Sequence, residues 1–295
     1  MSKKTVQFIV NPFSGWSSKE GLKNQIKREL DHDLFDYSYT ETQSKGHAIE
    51  LAKDAVERQT DIVVACGGDG TVNEVAQSLV GSSSALGILP GGSGNGFAMH
   101  IGWGRNIKKA IRKLGQAEER IIDSCTVNDK FFLNLAGVGF DALIAYKADS
   151  GTRRGLQMYL GMISKEMLKF KAEKFHVEID NEVIDGNFTT IAVANAAMYG
   201  YNFTIAPSAD LTDGYLDVVF VHEAPLLRTI GASWRMLNNS LDKSSLVSIK
   251  RSKEVLISVG NPYYFHLDGE SFTFDKDLHF KINPLSIKVL FPPSN

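Results

Sequence analysis

Cysteine is nearly missing: only Cys66 and Cys125 occur among 295 residues. Two thiols so far apart do not make a disulfide framework, and a reducing compartment is expected. Cys66 reads as a buried small hydrophobe. Long apolar runs are absent as well. No window approaches the roughly 18 apolar residues that a membrane span needs. The start, Met1-Ser2-Lys3-Lys4, leads into a segment too short and polar for a signal peptide. A soluble, cytoplasmic chain is expected, one that visits a membrane if its substrate is a lipid. An excess of either charge is also lacking. Lys and Arg total 32 and Asp and Glu 34, a net charge of −2, so nothing global points to nucleic acid. Repeats, low-complexity tracts and long charge runs do not appear. Hydrophobic residues at 43% and charged residues at 22% fit an ordinary globular core, and the length suggests two domains.

Glycine is plentiful and placed in knots. Cys66-Gly67-Gly68-Asp69-Gly70-Thr71-Val72-Asn73-Glu74 closes an apolar run and opens a helix pattern. It is neither a Gly-Lys-Ser/Thr loop nor a Gly-x-Gly-x-x-Gly fingerprint. Glycines let a backbone approach a ligand closely, and the N–H groups at a helix start suit phosphate. Asp69 inside the knot can face a Mg²⁺ ion or a hydroxyl. A second knot, Leu89-Pro90-Gly91-Gly92-Ser93-Gly94-Asn95-Gly96, costs too much folding entropy to be idle. Ser93 and Asn95 can hydrogen-bond phosphate or adenine there. Asn11-Pro12-Phe13-Ser14-Gly15 reads as a strand-to-helix turn or a phosphate loop. Thr42 reads as a helix cap or a nucleotide contact.

These loops follow strand patterns at residues 6–10, 35–40, 62–65 and 85–89. Helix patterns alternate with them at 19–30, 46–58, 71–79 and 106–114. Alternation in short units predicts a parallel sheet with right-handed crossovers, and ligands beyond its carboxyl ends. The loops at 11–15, 67–71 and 91–95 should converge on one crevice. From about Glu118 strand patterns dominate: 121–127, 131–135, 175–179, 189–194, 216–221, 255–259, 263–267, 278–282 and 287–291. That predicts a mostly antiparallel β-rich second domain. Helical segments at 156–171 and 226–241 interrupt it. The second places Leu227, Ile230, Trp234, Leu237 and Leu241 on one face. Both read as packing helices or as surfaces that touch a bilayer.

Two acidic turns lie in the second part. Asp210-Leu211-Thr212-Asp213-Gly214-Tyr215-Leu216-Asp217 reads as an Asp-Gly turn or a site for a hard cation. His266-Leu267-Asp268-Gly269-Glu270 reads as a hairpin turn or as paired carboxylates preparing a general base.

Taken in order, Asn11 to Gly15, Gly67 to Glu74, Leu89 to Asn95, Asp213 to Leu216 and Leu267 to Glu270 resemble the diacylglycerol kinase catalytic-domain family. This family of soluble lipid kinases includes bacterial members and the sphingosine kinases. Asn134-Leu135-Ala136-Gly137-Val138-Gly139-Phe140-Asp141-Ala142 adds to the likeness, which runs over nearly the whole chain. The resemblance implies α/β plus β: a nucleotide-binding α/β domain with a parallel sheet, like NAD kinases and phosphofructokinases, over residues 1–120. A β-sandwich-like lipid kinase domain would span 121–283, with a strand at about 284–295 returning to the first domain and the site in the cleft. It implies transfer of the ATP γ-phosphoryl group to a lipid hydroxyl, diacylglycerol or a sphingoid-type lipid, in lipid metabolism. Asn11, Pro12, Phe13, Ser14, Gly15, Thr42, Gly67, Gly68, Asp69, Gly70, Thr71, Val72, Asn73, Gly92, Ser93 and Asn95 would bind ATP. Asp210, Asp213 and Tyr215 would hold a structural Mg²⁺, partly through carbonyls. Glu270, with Asp268, would deprotonate the lipid; in sphingosine kinases the acid matching Asp69 is the favoured base. A homodimer is plausible. The second knot departs from the Gly-Thr-x-Asn-Asp-Phe-Ala-Arg of many bacterial diacylglycerol kinases. It lacks their second acid and arginine, and is closer to the Ser-Gly-Asn form of sphingosine kinases. A NAD kinase-like enzyme with a soluble acceptor and a non-catalytic nucleotide-binding regulator are the competing readings.

Overall fold

Apolar runs such as Phe8-Ile9-Val10 and Ile62-Val63-Val64-Ala65 are too short for helices and end at turn residues, so they form buried strands. The computed structural model describes residues 3–15, 19–149, 156–180, 182–258 and 263–293. The chain divides into two compact units, residues 1–122 with 285–295, and residues 123–284.

The first unit runs β1 (Lys4–Val10), α1 (Lys19–Glu29), β2 (Phe35–Glu41), α2 (His47–Glu57), β3 (Ile62–Gly67), α3 (Asp69–Leu79), β4 (Ala85–Pro90), α4 (Gly96–His100) and α5 (Ile107–Lys113). Its strands pair in parallel in the order β2-β1-β3-β4. The register sets Val10 beside Cys66 and Glu41, and Cys66 beside Leu89. The strands therefore end level, and the loops that follow begin side by side. Val63, Val64, Ile88 and Leu89 are fully buried, as strands covered on both faces require.

The chain continues through β5 (Glu118–Val127), which straddles the division, into β6 (Lys130–Phe132), β7 (Leu135–Gly139), α6 (Phe140–Asp149), α7 (Leu156–Met167), β8 (Glu173–Ile179), β9 (Glu182–Ala194), β10 (Met198–Gly200), β11 (Phe203–Thr204) and β12 (Leu216–His222). Then come α8 (Leu226–Leu237), β13 (Val247–Ser252), β14 (Glu254–Ser258), β15 (Tyr263–Leu267), β16 (Glu270–Phe274) and β17 (Leu278–Phe291). Pairing in the second unit is antiparallel. β9 organises it. Ile191 and Val193 enter a core with Phe132, Val138, Phe220, Phe265 and Phe280, while Ala192 and Ala194 enter a second core with Leu135, Val219 and Leu246. This period-two division buries both faces, which makes the unit sandwich-like. Each fully buried Phe contributes roughly 1.5–3 kcal/mol.

The structure departs from the sequence reading in places. The strand expected at 131–135 is broken, with β6 ending at Phe132 and β7 beginning at Leu135. The amides of Leu133, Asn134 and Leu135 turn instead onto the Asp268 carboxylate. The strands expected at 278–282 and 287–291 are one strand, in which Leu285 takes φ 45° without ending the run. Helices α6 and α4 and strands β10, β11, β13 and β16 are additional. Both inserted helices end early; α8 stops before Asn239, at φ 50°. Val259 lies outside the described residues, as do the side chains of Leu227 and Ile230. Among the described residues, no helix is long and apolar enough to cross a membrane. Cys66 and Cys125 are buried free thiols, pushed well up in pKa by that burial.

Candidate functional site

In the first unit, three loops leave adjacent strand ends and are bonded to one another. Asn11 N donates to Cys66 O at 2.9 Å, Gly91 N to Gly67 O at 2.7 Å and Gly15 N to Gly91 O at 2.9 Å. Asn11 Nδ2 donates to Thr71 Oγ1 at 3.2 Å, and its Oδ1 accepts Phe13 N at 2.9 Å, which curls the first loop back. The two knots touch backbone to backbone. A Cβ on Gly92 would lie 2.6 Å from Gly68 Cα, so no larger residue fits there. Gly67 is similarly confined, since its Cβ would meet Thr71 Oγ1 at 2.4 Å. Asp69 begins α3 and is half-buried.

Several residues expected to touch a nucleotide prove to be internal. Asn95, 4% exposed, stands at φ 53°; it accepts Gly92 N at 2.8 Å and donates to Gly92 O at 2.6 Å. Its side chain shapes the second knot. Val72 is buried, and Thr71 is buried with its hydroxyl against Asn11. Thr42 is buried and its N donates to Val10 O, while Gly46 in the left-handed conformation stands at the α2 cap position with no side-chain cap. Glu74 reaches Gly46 N at 2.9 Å, which joins α3 to the start of α2. Ser93 and Phe13 are exposed.

In the second unit, Asp268 and Gly269 form a two-residue hairpin turn, both at positive φ (48° and 86°). Leu267 pairs with Glu270 across it. This is the turn that Asp-Gly favours, because its twist matches the strands. Asp268 is 7% exposed. Its Oδ1 accepts Asn134 N at 2.9 Å and Leu135 N at 3.1 Å, and its Oδ2 accepts Leu133 N at 2.9 Å. Both oxygens are occupied by backbone, so Asp268 anchors the turn to the start of β7. Glu270 is half-buried at the start of β16.

The other acidic turn stands elsewhere in this unit. Asp210 Oδ1 accepts Thr212 N and Oγ1 at 2.9 and 2.8 Å; Asp213 Oδ1 accepts Tyr215 N at 2.9 Å. Asp213 also pairs with the Arg251 guanidinium, which lies over the Tyr215 ring with Lys253 beside it. Gly214 N donates to buried Asp123. Asp217 is buried with its Oδ1 unpartnered, 3.8 Å from Arg251 Nε. Burial, with the charge of Asp210 nearby, pushes its carboxyl up to about 6. The carboxylates named for a cation already close their own turns, and Arg251 supplies the positive charge at Asp213. Among the described residues, no three acidic, histidine or cysteine side chains stand together as a metal site. Asp210 Oδ1 and both oxygens of Asp213 are therefore engaged without a cation.

The pattern of the diacylglycerol kinase catalytic domain matches residues 5–127, and that of the YegS C-terminal NAD kinase beta sandwich-like domain matches residues 134–291. A protein of Klebsiella pneumoniae named "Probable lipid kinase YegS-like" is 30% identical, with 95% of this chain and 94% of that one covered. This chain belongs to the diacylglycerol kinase and YegS-like lipid kinase family. The diacylglycerol kinase of Bacillus subtilis is 28% identical over 90% of each chain. A crystal structure of a Bacillus anthracis diacylglycerol kinase superposes with a TM-score of 0.74, covering 99% of this chain and 98% of that one. At 18% identity that likeness is one of fold.

For this lipid kinase family member, sequence reasoning passed over one buried constellation. Asp141 Oδ2 accepts Tyr199 OH at 2.8 Å and His266 Nε2 at 3.0 Å, which leaves His266 Nδ1 buried without a hydrogen-bond partner. Burial and the Asp141 charge drive the Tyr199 hydroxyl well up in pKa, and burial drives Tyr159 up to about 12. Gly137 makes room, because a Cβ there would sit 2.4 Å from Asp141 Oδ2. Asp141 and Gly137 lie in the stretch 134–142 that carried the resemblance, which was the available signal. Arg251 had none, since it meets Asp217 only through the β12–β13 register.

Proposed function

We propose that this chain transfers the γ-phosphoryl group of ATP, taken as its Mg²⁺ complex, to the hydroxyl of a diacylglycerol or sphingoid-type lipid. The observation that carries the reading is the hydrogen-bonded meeting of residues 11–15, 67–71 and 91–95 at the carboxyl ends of β1, β3 and β4. Ligands of open parallel sheets bind there, and α3 begins there with its N-terminal dipole end. Amides of these loops, with Asn73 and Ser93, hold the triphosphate, while Asn95 keeps the second knot in shape. Asp69, at the first turn of α3, faces the phosphates and their counter-ion.

Phosphoryl transfer is mostly positioning and neutralisation of phosphate oxygens. Glu270 accepts the proton of the lipid hydroxyl as that oxygen bonds to the γ-phosphorus. The bond from the γ-phosphorus to its bridging oxygen breaks, and ADP leaves. Asp268 takes no proton; it fixes the turn from which Glu270 projects. The lipid acceptor requires contact with a bilayer. The exposed Leu156 and Leu160 of α7 and Trp234 and Leu237 of α8, near Lys165 and Arg235, suit that contact.

The test is incubation with γ-labelled ATP, Mg²⁺ and a panel of diacylglycerol, sphingoid bases and ceramide, followed by phase extraction. Label in the organic phase is expected. Label only in an aqueous acceptor such as NAD would overturn the lipid assignment. ATP binding without transfer to either phase would leave a non-catalytic regulator. Glu270→Gln is expected to lose about 10²–10⁴-fold in kcat, as the loss of a general base should. Near-normal turnover by Asp69→Asn would remove Asp69 from the reaction.

A further inference from the structure

Helix α6 carries a carboxylate in its first turn and another in its last, Asp141 and Asp149. The first suits a helix N-terminus; the second opposes the dipole and needs another reason to be there. Both face the β15–β16 hairpin, and α6 packs on both of its strands. Asp141 accepts His266 Nε2 at 3.0 Å on β15. Asp149 Oδ2 accepts both Ser271 N at 2.9 Å and Ser271 Oγ at 2.7 Å on β16. His266 and Ser271 are cross-strand partners, one pair along from Leu267 and Glu270. Glu270 thus lies between two fixed points. Asp268 is pinned by the amides of residues 133–135, and Ser271 is pinned by Asp149.

We propose that α6 is a clamp that positions Glu270, with Asp149 acting through Ser271 and Asp141 through His266. The inference rests on the reading of Glu270 as the base. β16 ends the strand order of its sheet, so a carboxylate that merely covers an edge N–H is the structural alternative. The two differ in what they change. Edge cover affects stability alone, whereas a clamp sets the place of a reacting group, and a shift of about 1 Å there can cost about 10²-fold in rate.

The experiment compares Asp149→Ala, Asp149→Asn, Ser271→Ala, Ser271→Thr and Glu270→Gln with the wild-type chain, using the best lipid acceptor of the panel. It reads kcat, the KM for ATP and the thermal midpoint. Asp149→Ala is expected to lower kcat roughly 10–100-fold with the KM for ATP unchanged within about twofold. Ser271→Ala keeps the N–H bond and should lose less. Ser271→Thr and Asp149→Asn, which keep a hydroxyl donor and an acceptor oxygen, should recover most of the rate. Inactive Glu270→Gln beside fully active Asp149→Ala and Ser271→Ala would overturn the clamp and leave the base assignment standing. Active Glu270→Gln would remove the base assignment, and the clamp with it. Equal losses in Ser271→Ala and Ser271→Thr, or a KM for ATP that rises as far as kcat falls, would also overturn the clamp.

Discussion

Gly92→Ala is the sharpest probe of the paired glycine knots. The added Cβ would lie 2.6 Å from Gly68 Cα and 2.9 Å from Asn95 Oδ1. Carbon atoms settle about 3.5–4.0 Å apart, so the two loop backbones must separate by roughly 1 Å. Neither obstacle is a side chain that can swing away freely, because Asn95 is held by its two bonds to Gly92. Overpacking of this kind costs about 1–3 kcal/mol. The shift is roughly 2–4 °C per kcal/mol for 150–250 residues and shrinks with length, so for 295 residues the thermal midpoint should fall by at most about 12 °C. Separating the knots also displaces the amides proposed to hold the triphosphate, so ATP affinity should drop tenfold or more, about 1.4 kcal/mol. Gly68→Ala is the internal control. Its Cβ would meet Gly92 Cα at 3.3 Å, which a shift of a few tenths of an ångström relieves. Calorimetric unfolding and ATP titration of both variants decide the matter. Unchanged stability and affinity in Gly92→Ala, or greater damage from Gly68→Ala, would refute the reasoning.

Three further expectations concern the acids. Asp268→Ala strands the amides of Leu133, Asn134 and Leu135 and should lower unfolding stability by about 3 kcal/mol or more, whereas Glu270→Gln should lower kcat about 10²–10⁴-fold with the melting temperature retained; denaturant melts beside kinetic assays separate the two. Asp217 has its pKa raised from 3.8 to about 6. The folded chain therefore holds a proton that the unfolded chain releases, and stability declines as pH rises from about 4 to 6. Asp217→Asn removes that decline and should gain about 1–2 kcal/mol near pH 7.5 and nothing below about pH 4, read from urea unfolding at both pH values. Excess EDTA should leave the melting temperature of the protein as purified, without added ATP, unchanged, because Arg251 braces the 210–217 turn, and Arg251→Ala should lower unfolding stability by about 1 kcal/mol; a large EDTA-induced drop would restore a resident cation to that turn.

The parallel unit was legible because its signals are local. Short apolar runs ended by Asn11-Pro12, Gly67-Gly68 and Pro90-Gly91 mark strand ends, and in-register parallel pairing then brings those ends together. The glycine knots were legible for the same reason. What the side chains do within the knots was not. Asn95 looked like a ligand contact, and only its αL backbone and its two bonds to Gly92 show it closing its own loop. Asp268 looked like half of a carboxylate pair, yet its three partners lie more than a hundred residues earlier. The turn at 210–217 suggested a cation because its acids are adjacent in sequence, while its arginine arrives from β13 through antiparallel register. Helix α6 was missed because its buried residues, Phe140, Ala142, Ile144 and Ala145, show little helical periodicity.

Strand β17 belongs to both units, since its residues through Pro284 fall in the second and those from Leu285 onward in the first. Its closing portion sets Val289 beside Leu86, offers the Leu290 carbonyl to the Trp103 indole and the Ser286 carbonyl to Gly81 N, and reaches Ser83 O through Lys288. On the ribosome, the first 122 residues emerge long before that edge strand exists. The β4 border of that first unit stays open until residues 285–291 have been made, after the whole of the second unit, so vectorial synthesis cannot finish these two units one at a time.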